Sequence, residues 1–88
     1  METPNIVVIM ADQLKATALG VYGNPACPTP SLERLAEDGV CYEKAFTPHP
    51  LCVPTRVAFW TGRYPHQTGC RRNETLMPAQ TDHAIRRF

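Results

Sequence analysis

Residues 52–63 read CVPTRVAFWTGR and predict a short helix with a cysteine at its entrance. Pro54 suits the first helical position, because its missing N–H would have no intrahelical partner there. The apolar residues 57–60 give the next turns a surface to bury, and Gly62 can adopt the left-handed conformation that ends a helix. We therefore expect Cys52 at the positive end of a helix dipole, beside unpaired N–H groups and one turn before Arg56. This arrangement predicts a site for an anion.

The same residues carry a family resemblance. The pattern Cys-x-Pro-x-Arg followed by Thr-Gly-Arg resembles the signature of the sulfatase family, within the alkaline-phosphatase-like superfamily. The family usually has Ser or Ala at the fourth position, where this chain has Thr55. The resemblance implies that a separate maturase oxidises Cys52 to Cα-formylglycine, and that Arg56 offsets charge on the aldehyde hydrate and its metal. The alternative is a structural cysteine, since free cysteines are commonly buried as small hydrophobes.

A candidate metal site follows the first apolar run. Residues 5–11 read NIVVIMA, which is typical of a central parallel strand covered on both faces, and Asp12 and Gln13 come next. Ligands gather beyond the carboxyl ends of such strands, and carboxylate and amide oxygens suit Ca²⁺, Mg²⁺ or Mn²⁺. The alternative is that Asp12 caps the next turn.

The resemblance assigns metal ligands as well. Sulfatases have Asp-Asp after this strand, so Asp12 and Gln13, together with Cys52, are the implied metal ligands. The glutamine resembles the phosphonate monoester hydrolase-like branch, which makes phosphonate or phosphate ester hydrolysis an alternative activity. In that branch an asparagine comparable to Asn73 contacts substrate, although a turn residue is the alternative here. His49 is a further candidate, as a proton shuttle, against the alternative of a solvated loop histidine.

The rest of the chain predicts supporting structure. Residues 15–23 predict an irregular helix and loop, residues 40–46 a strand, and residues 78–88 a final helix that Thr81 or a neighbour caps. Residues 29–39 resemble the sulfatase segment between metal loop and nucleophile. They predict a helix with Thr29 as N-cap and Pro30 at its first position, and Gly39 ends it. Its expected buried stripe comprises Leu32, Leu35 and Ala36.

Charge and cysteine spacing narrow the classes of function. Residues 1–50 hold three Lys/Arg and six Asp/Glu, whereas residues 51–88 hold six Arg and two acids. The arginine excess after the candidate nucleophile favours a small anionic ester as substrate, and no long basic run supports nucleic-acid binding. The remaining cysteines, at positions 27, 41 and 70, match no zinc spacing and are interpreted as structural or incidental. No signal peptide or membrane span is visible, so a cytoplasmic location is expected.

These features give one combined hypothesis. The fold class is α/β: the N-terminal portion of an alkaline-phosphatase-like sandwich, with a largely parallel sheet flanked by helices. Residues 1–88 are interpreted as the N-terminal fragment of a sulfatase catalytic domain, inactive without the C-terminal part. Expected partners are the ester substrate and a formylglycine-generating maturase. Two alternatives from other classes remain: a non-catalytic binding module on the sulfatase scaffold, and a small thiol-based metal or redox protein.

Overall fold

Helices and turns make up the regular structure of the chain. The computed structural model describes residues 2–78 and 81–84, which form two compact units, Met1–Glu43 and Lys44–Phe88. Within the described residues lie three α-helices, α1 (Pro30–Asp38), α2 (Cys52–Thr61) and α3 (Pro65–Thr68). Two 3₁₀ turns, Ala16–Ala18 and Gly20–Tyr22, precede α1.

The described residues contain no β-strand, so two predicted strands are not confirmed. Residues 5–11 and 40–46, both predicted as strands, have no strand structure here. Ile6, Val7 and Ile9 are 79%, 81% and 91% exposed. A strand needs the N–H and C=O groups of neighbouring strands as partners, and the described part of the chain offers no such partner. The predicted sheet is therefore not confirmed, and it stays a prediction.

The loop before α1 is ordered by side-chain hydrogen bonds. The Asn24 side chain donates to the Ala18 carbonyl (3.0 Å) and accepts from the Ala26 N–H (2.9 Å). Gly20 is required where the chain folds back, because a Cβ there would lie 2.6 Å from the Cys27 carbonyl oxygen. The predicted irregular helix and loop over residues 15–23 is confirmed.

Helix α1 has the predicted bounds but not the predicted burial. It begins at Pro30 after the N-cap Thr29 and ends before Gly39. The Thr29 hydroxyl makes no cap bond and instead accepts the Val21 N–H at 2.7 Å. Leu32 and Leu35, predicted to be buried, are 42% and 67% exposed, so that prediction is wrong for this structure. The physical reason is that the turn Gly20–Tyr22, the described element in contact with α1, leaves the side chains of Leu32 and Leu35 largely exposed.

Tyr22 makes a tertiary contact within the first unit, between the turn before α1 and the segment after it. Its hydroxyl donates to the Tyr42 carbonyl at 2.9 Å. A hydrogen bond with the Cys41 side chain raises the pKa of Tyr22 above its ordinary value of 10.0, and desolvation and the charges of Cys41 and Glu43 act in the same direction. The neutral phenol is therefore the form that this packing favours.

The second unit is built around α2. The helix ends at Gly62, which has the predicted left-handed conformation (φ 65°), and its cap N–H bonds to the Ala58 carbonyl. Tyr64 is the N-cap of α3, and the Gln67 side chain accepts the Tyr64 N–H at 2.9 Å. The buried residues of this unit lie on α2, on α3 and directly after it: Pro54, Ala58, Pro65 and Cys70. The unit therefore has a small core, centred on α2.

The C-terminal helix prediction lies mostly outside the described residues. Of residues 78–88, positions 79–80 and 85–88 are not described. The Thr81 N–H bonds to the Pro78 carbonyl at 2.9 Å, which is a turn contact. Every helix within residues 2–78 and 81–84 falls short of the length and hydrophobicity needed to cross a membrane.

Candidate active site at the start of helix α2

Cys52 is the first residue of α2 and is exposed to solvent. Leu51 precedes it as N-cap in an extended conformation (φ −91°, ψ 151°). Pro54 is the third helical residue and not the first, which corrects the predicted position. It remains within the first turn, where a missing N–H removes no intrahelical bond, and its side chain is fully buried. The helix entrance that the sequence predicts is confirmed, with Cys52 one position inside it.

The amides of this first turn are mostly occupied. The Val53 N–H donates to the Asn73 side-chain oxygen (3.1 Å), and the Thr55 N–H donates to the Leu51 carbonyl (3.2 Å). Pro54 has no N–H to offer. Within the described residues, the Cys52 N–H is the one donor of this turn for which the structure shows no partner. The sequence predicts an anion site with several open amides. In this turn one amide is open, that of Cys52, because a side chain and a backbone carbonyl already accept the Val53 and Thr55 N–H groups.

His49 bonds to the backbone of Leu51, just before α2. Its Nδ1 accepts the Leu51 N–H at 3.1 Å, so the neutral ring carries its proton on Nε2. The ring is half-buried. The predicted role as a proton shuttle stays a prediction, and only Nε2 remains for it while this bond is made.

Thr55 connects the same loop to the helix. Its hydroxyl donates to the His49 carbonyl and lies 2.8 Å from the Thr47 hydroxyl. The Thr47 hydroxyl also lies 3.0 Å from the His49 carbonyl oxygen, so either hydroxyl can be the donor in the contact between the two threonines. In the sequence, Thr55 differs from the family pattern, and no local pattern predicts these bonds. The one signal for its role is the polar side chain one turn inside the helix, next to a loop with few backbone partners.

Arg56 follows Cys52 by one helical turn, on the same side of α2. It is exposed. An open cavity of about 410 Å³ borders this side of the helix. Its lining is mostly apolar, with Arg56 and His83 as the ionisable groups: Val53, Arg56, Val57, Trp60, Thr61, Met77, Pro78, Thr81 and His83. The predicted neighbour relation of Cys52 and Arg56 is confirmed, and the role of Arg56 stays a prediction.

Asp12 and Gln13 lie in the first unit, in a turn after the N-terminal apolar run. Both are exposed, and Gln13 has a left-handed backbone (φ 48°), which is uncommon for a residue other than glycine. Their oxygen donors match what Ca²⁺ or Mg²⁺ prefers, but such ions take six or more ligands. Residues 2–78 and 81–84 contain no group of three or more His, Cys, Asp or Glu placed to hold a metal. The residues present therefore fit part of a metal site, and Cys52 belongs to the other unit.

The remaining cysteines differ in exposure. Cys27 and Cys41 are exposed free thiols, whereas Cys70 is a free thiol with 0% exposure. Cys70 follows α3 and is part of the core around α2, and its predicted role as a structural or incidental cysteine stays a prediction. The two exposed thiols lie in the first unit.

Comparisons with known proteins place the chain among sulfatases. A model of the sulfatase family matches residues 4–87. An ulvan-active sulfatase of Formosa agariphila is 40% identical over 74 residues, which cover 84% of this chain and 15% of the relative. The steryl-sulfatase of Mus musculus is 50% identical over 66 residues, which cover 75% of this chain and 11% of the relative. The N-acetylgalactosamine-6-sulfatase of Sus scrofa is 41% identical over 68 residues, with 77% and 13% covered. No solved structure matches the chain.

Proposed function

The chain belongs to the sulfatase family, and on that premise we propose that it is the segment of a sulfate ester hydrolase that carries the nucleophile precursor Cys52. The observation that carries the proposal is the exposed thiol at the first residue of α2, inside the family pattern. The chain spans 11–15% of the length of the three relatives above. We therefore assign hydrolysis to the longer protein and expect the chain alone to be inactive.

Oxidation of the Cys52 side chain would supply the chemistry that a thiol lacks. The maturase, with an external oxidant that accepts two electrons, would convert CH₂SH and one water to an aldehyde and release the sulfur as sulfide. A second water then adds to the aldehyde to give a geminal diol. One hydroxyl attacks sulfur, the S–O bond to the alcohol breaks, and the alcohol leaves with a proton. The second hydroxyl then loses its proton, the bond between carbon and the sulfate oxygen breaks, and aldehyde and sulfate are released. The net change is water plus sulfate ester to alcohol plus hydrogen sulfate.

Residues around Cys52 would assist by holding charge and geometry. The Arg56 guanidinium would offset negative charge on the diol, and the positive end of the helix dipole would act in the same direction. A divalent metal held in part by Asp12 and Gln13 would lower the pKa of the attacking hydroxyl. The family resemblance implies that Cys52, as formylglycine, is a further ligand of this metal.

The relatives favour sulfate esters as the substrate class. All three are named as sulfatases, and the names differ in the rest of the substrate: ulvan-active, steryl and N-acetylgalactosamine-6. Phosphonate or phosphate esters, which Gln13 suggested, gain no support from these names. The alcohol part of the substrate, the maturase partner and the cytoplasmic location stay predictions.

Conversion of Cys52 by a formylglycine-generating enzyme tests the proposal. The tryptic peptide of residues 45–56 contains Cys52 and no other cysteine. Conversion lowers its mass by the difference between a CH₂SH and a CHO side chain. Cys27 and Cys41 are matched controls, because both are exposed thiols of the same molecule without Pro-x-Arg after them. A Cys52 that stays unconverted would leave the non-catalytic binding module as the better hypothesis.

A further inference from the structure

The start of α2 lacks a cap of its own. Leu51 occupies the N-cap position and has no side-chain oxygen, and no side-chain cap bond is made from it. Helices usually satisfy one of their first amides with Ser, Thr, Asp or Asn at that position. Here the acceptor comes from outside the helix: the Asn73 Oδ1, 3.1 Å from the Val53 nitrogen and 20 residues later in the chain.

This bond acts on the peptide that follows Cys52. The Val53 N–H and the Cys52 carbonyl belong to one planar peptide unit, so holding the N–H restricts rotation between the Cys52 Cα and its carbonyl. On the other side, His49 Nδ1 accepts the Leu51 N–H at 3.1 Å. Cys52 therefore lies between two backbone amides that side chains hold.

The remaining amides do not replace Asn73. Pro54 has no N–H, and the Thr55 N–H is already bonded to the Leu51 carbonyl at 3.2 Å. Loss of the Asn73 oxygen would leave the Val53 N–H to water and allow the first turn to fray. A frayed turn also weakens the positive polarisation that the helix imposes on Cys52.

We propose that Asn73 is a positioning residue that caps α2 from a distance and so fixes the backbone of Cys52. The proposal deepens the proposed function, since it concerns the same nucleophile. It differs from the substrate contact that the family resemblance suggested, because the Asn73 oxygen is engaged by the protein itself. The Asn73 Nδ2 donors point away from that bond, as the planar amide requires.

The first test is amide hydrogen exchange at Val53, measured by NMR on the full chain. The Asn73→Ala variant is expected to exchange the Val53 amide about fivefold faster, the factor that corresponds to loss of a typical N-cap. Asn73→Asp keeps an acceptor oxygen at the same distance from Cα and is expected to restore slow exchange. Asn5→Ala, at an exposed asparagine of the first unit, is the matched control and is expected to leave Val53 unchanged.

The second test is alkylation of the thiols by iodoacetamide. In Asn73→Ala, the rate of Cys52 alkylation relative to that of Cys27 is expected to change about twofold to fivefold, because the helical turn that positions the thiol frays. Cys70 reports the fold, since its side chain is 0% exposed. Equal Val53 exchange in the native chain and Asn73→Ala would overturn the proposal, and so would alkylation of Cys70 in step with the change at Cys52. Neither readout uses conversion of Cys52, so failure of the proposed function is seen separately.

Discussion

The Asn73 side-chain oxygen accepts the backbone N–H of Val53 at 3.1 Å, across 20 positions of sequence. This bond places the turn after α3 against the first turn of the helix that begins with Cys52. A second side chain, His49, bonds to the Leu51 N–H on the other side of the same cysteine. The candidate nucleophile is thus held through its neighbours' amides, while its own thiol stays exposed.

The Thr55 hydroxyl is expected to stabilise the helix entrance. Thr55→Val keeps the shape but removes the bonds to the His49 carbonyl and the Thr47 hydroxyl, so the free energy of unfolding should fall by about 1 kcal/mol. Thr55→Ser keeps the hydroxyl and should change it much less. Denaturant unfolding followed by fluorescence of Trp60, the single tryptophan, measures the free energy of unfolding. Trp60 lies in the same unit as Thr55. Thr3→Val, at an exposed position of the first unit, is the control. Equal stability of Thr55→Val and the native chain would contradict the prediction.

Gly62 is expected to be needed for its backbone conformation. Its φ of 65° lies in the left-handed region, and an added Cβ would meet nothing within 4 Å. Gly62→Ala should therefore lower the free energy of unfolding by about 1 kcal/mol through backbone strain alone. Gly62→Asn should cost less, because asparagine tolerates this region better. The same Trp60 fluorescence measures both, and an Ala variant as stable as the Asn variant would argue against the strain.

Tyr22 is expected to ionise at higher pH than an ordinary tyrosine. The Cys41 hydrogen bond raises its pKa above 10.0, so the folded state keeps the phenol proton longer than the unfolded state does. The stabilisation is present below pH 10 and is lost as the pH rises through the raised pKa. Phenolate absorbance of the native chain and of Tyr22→Phe identifies the late titration.

Removal of the partner tests the cause of that shift. Cys41→Ala should bring the titration of Tyr22 back toward 10.0, because the first cause of the raised pKa is gone. Cys27→Ala removes another exposed thiol and should leave it unchanged. A Tyr22 that titrates at the ordinary tyrosine pKa of 10.0 in the native chain would disprove the contact.

Thiol labelling under native conditions should separate the four cysteines into two classes. Cys27, Cys41 and Cys52 are exposed and should react quickly, whereas Cys70 is buried in the core around α2 and should react only on unfolding. Mass spectrometry of peptides after a short pulse of iodoacetamide measures each site. Fast labelling of Cys70 in the native chain would contradict the described core.

Local signals predicted the helices well. Helix α1 begins after Thr29, at Pro30, and ends before Gly39, as the sequence predicts. Helix α2 ends at Gly62, as the conformational freedom of glycine predicts. These signals act within a turn of the residue that carries them. Pro54 is the third residue of α2 and not the first, as predicted, so the helix begins two positions earlier. A proline fits either position, because the N–H groups of the first turn have no intrahelical partner.

Non-local features were beyond the sequence patterns. The run at residues 5–11 has strand composition, but strand structure depends on partner strands that the described residues do not contain. Leu32 and Leu35 belong to the predicted stripe, and their side chains are largely exposed. Asn73 was singled out by resemblance as a substrate contact, whereas its bond to Val53 joins positions that no local pattern connects.

The central claim is that Cys52 is the precursor of the sulfatase nucleophile, and its conversion tests that claim most directly. The measurement is mass spectrometry of the peptide of residues 45–56 after co-expression of the chain with an active formylglycine-generating enzyme. The account predicts an aldehyde at Cys52, with Cys27 and Cys41 unchanged and no conversion in Cys52→Ser. An intact Cys52 thiol, beside a control sulfatase converted by the same maturase, would contradict it.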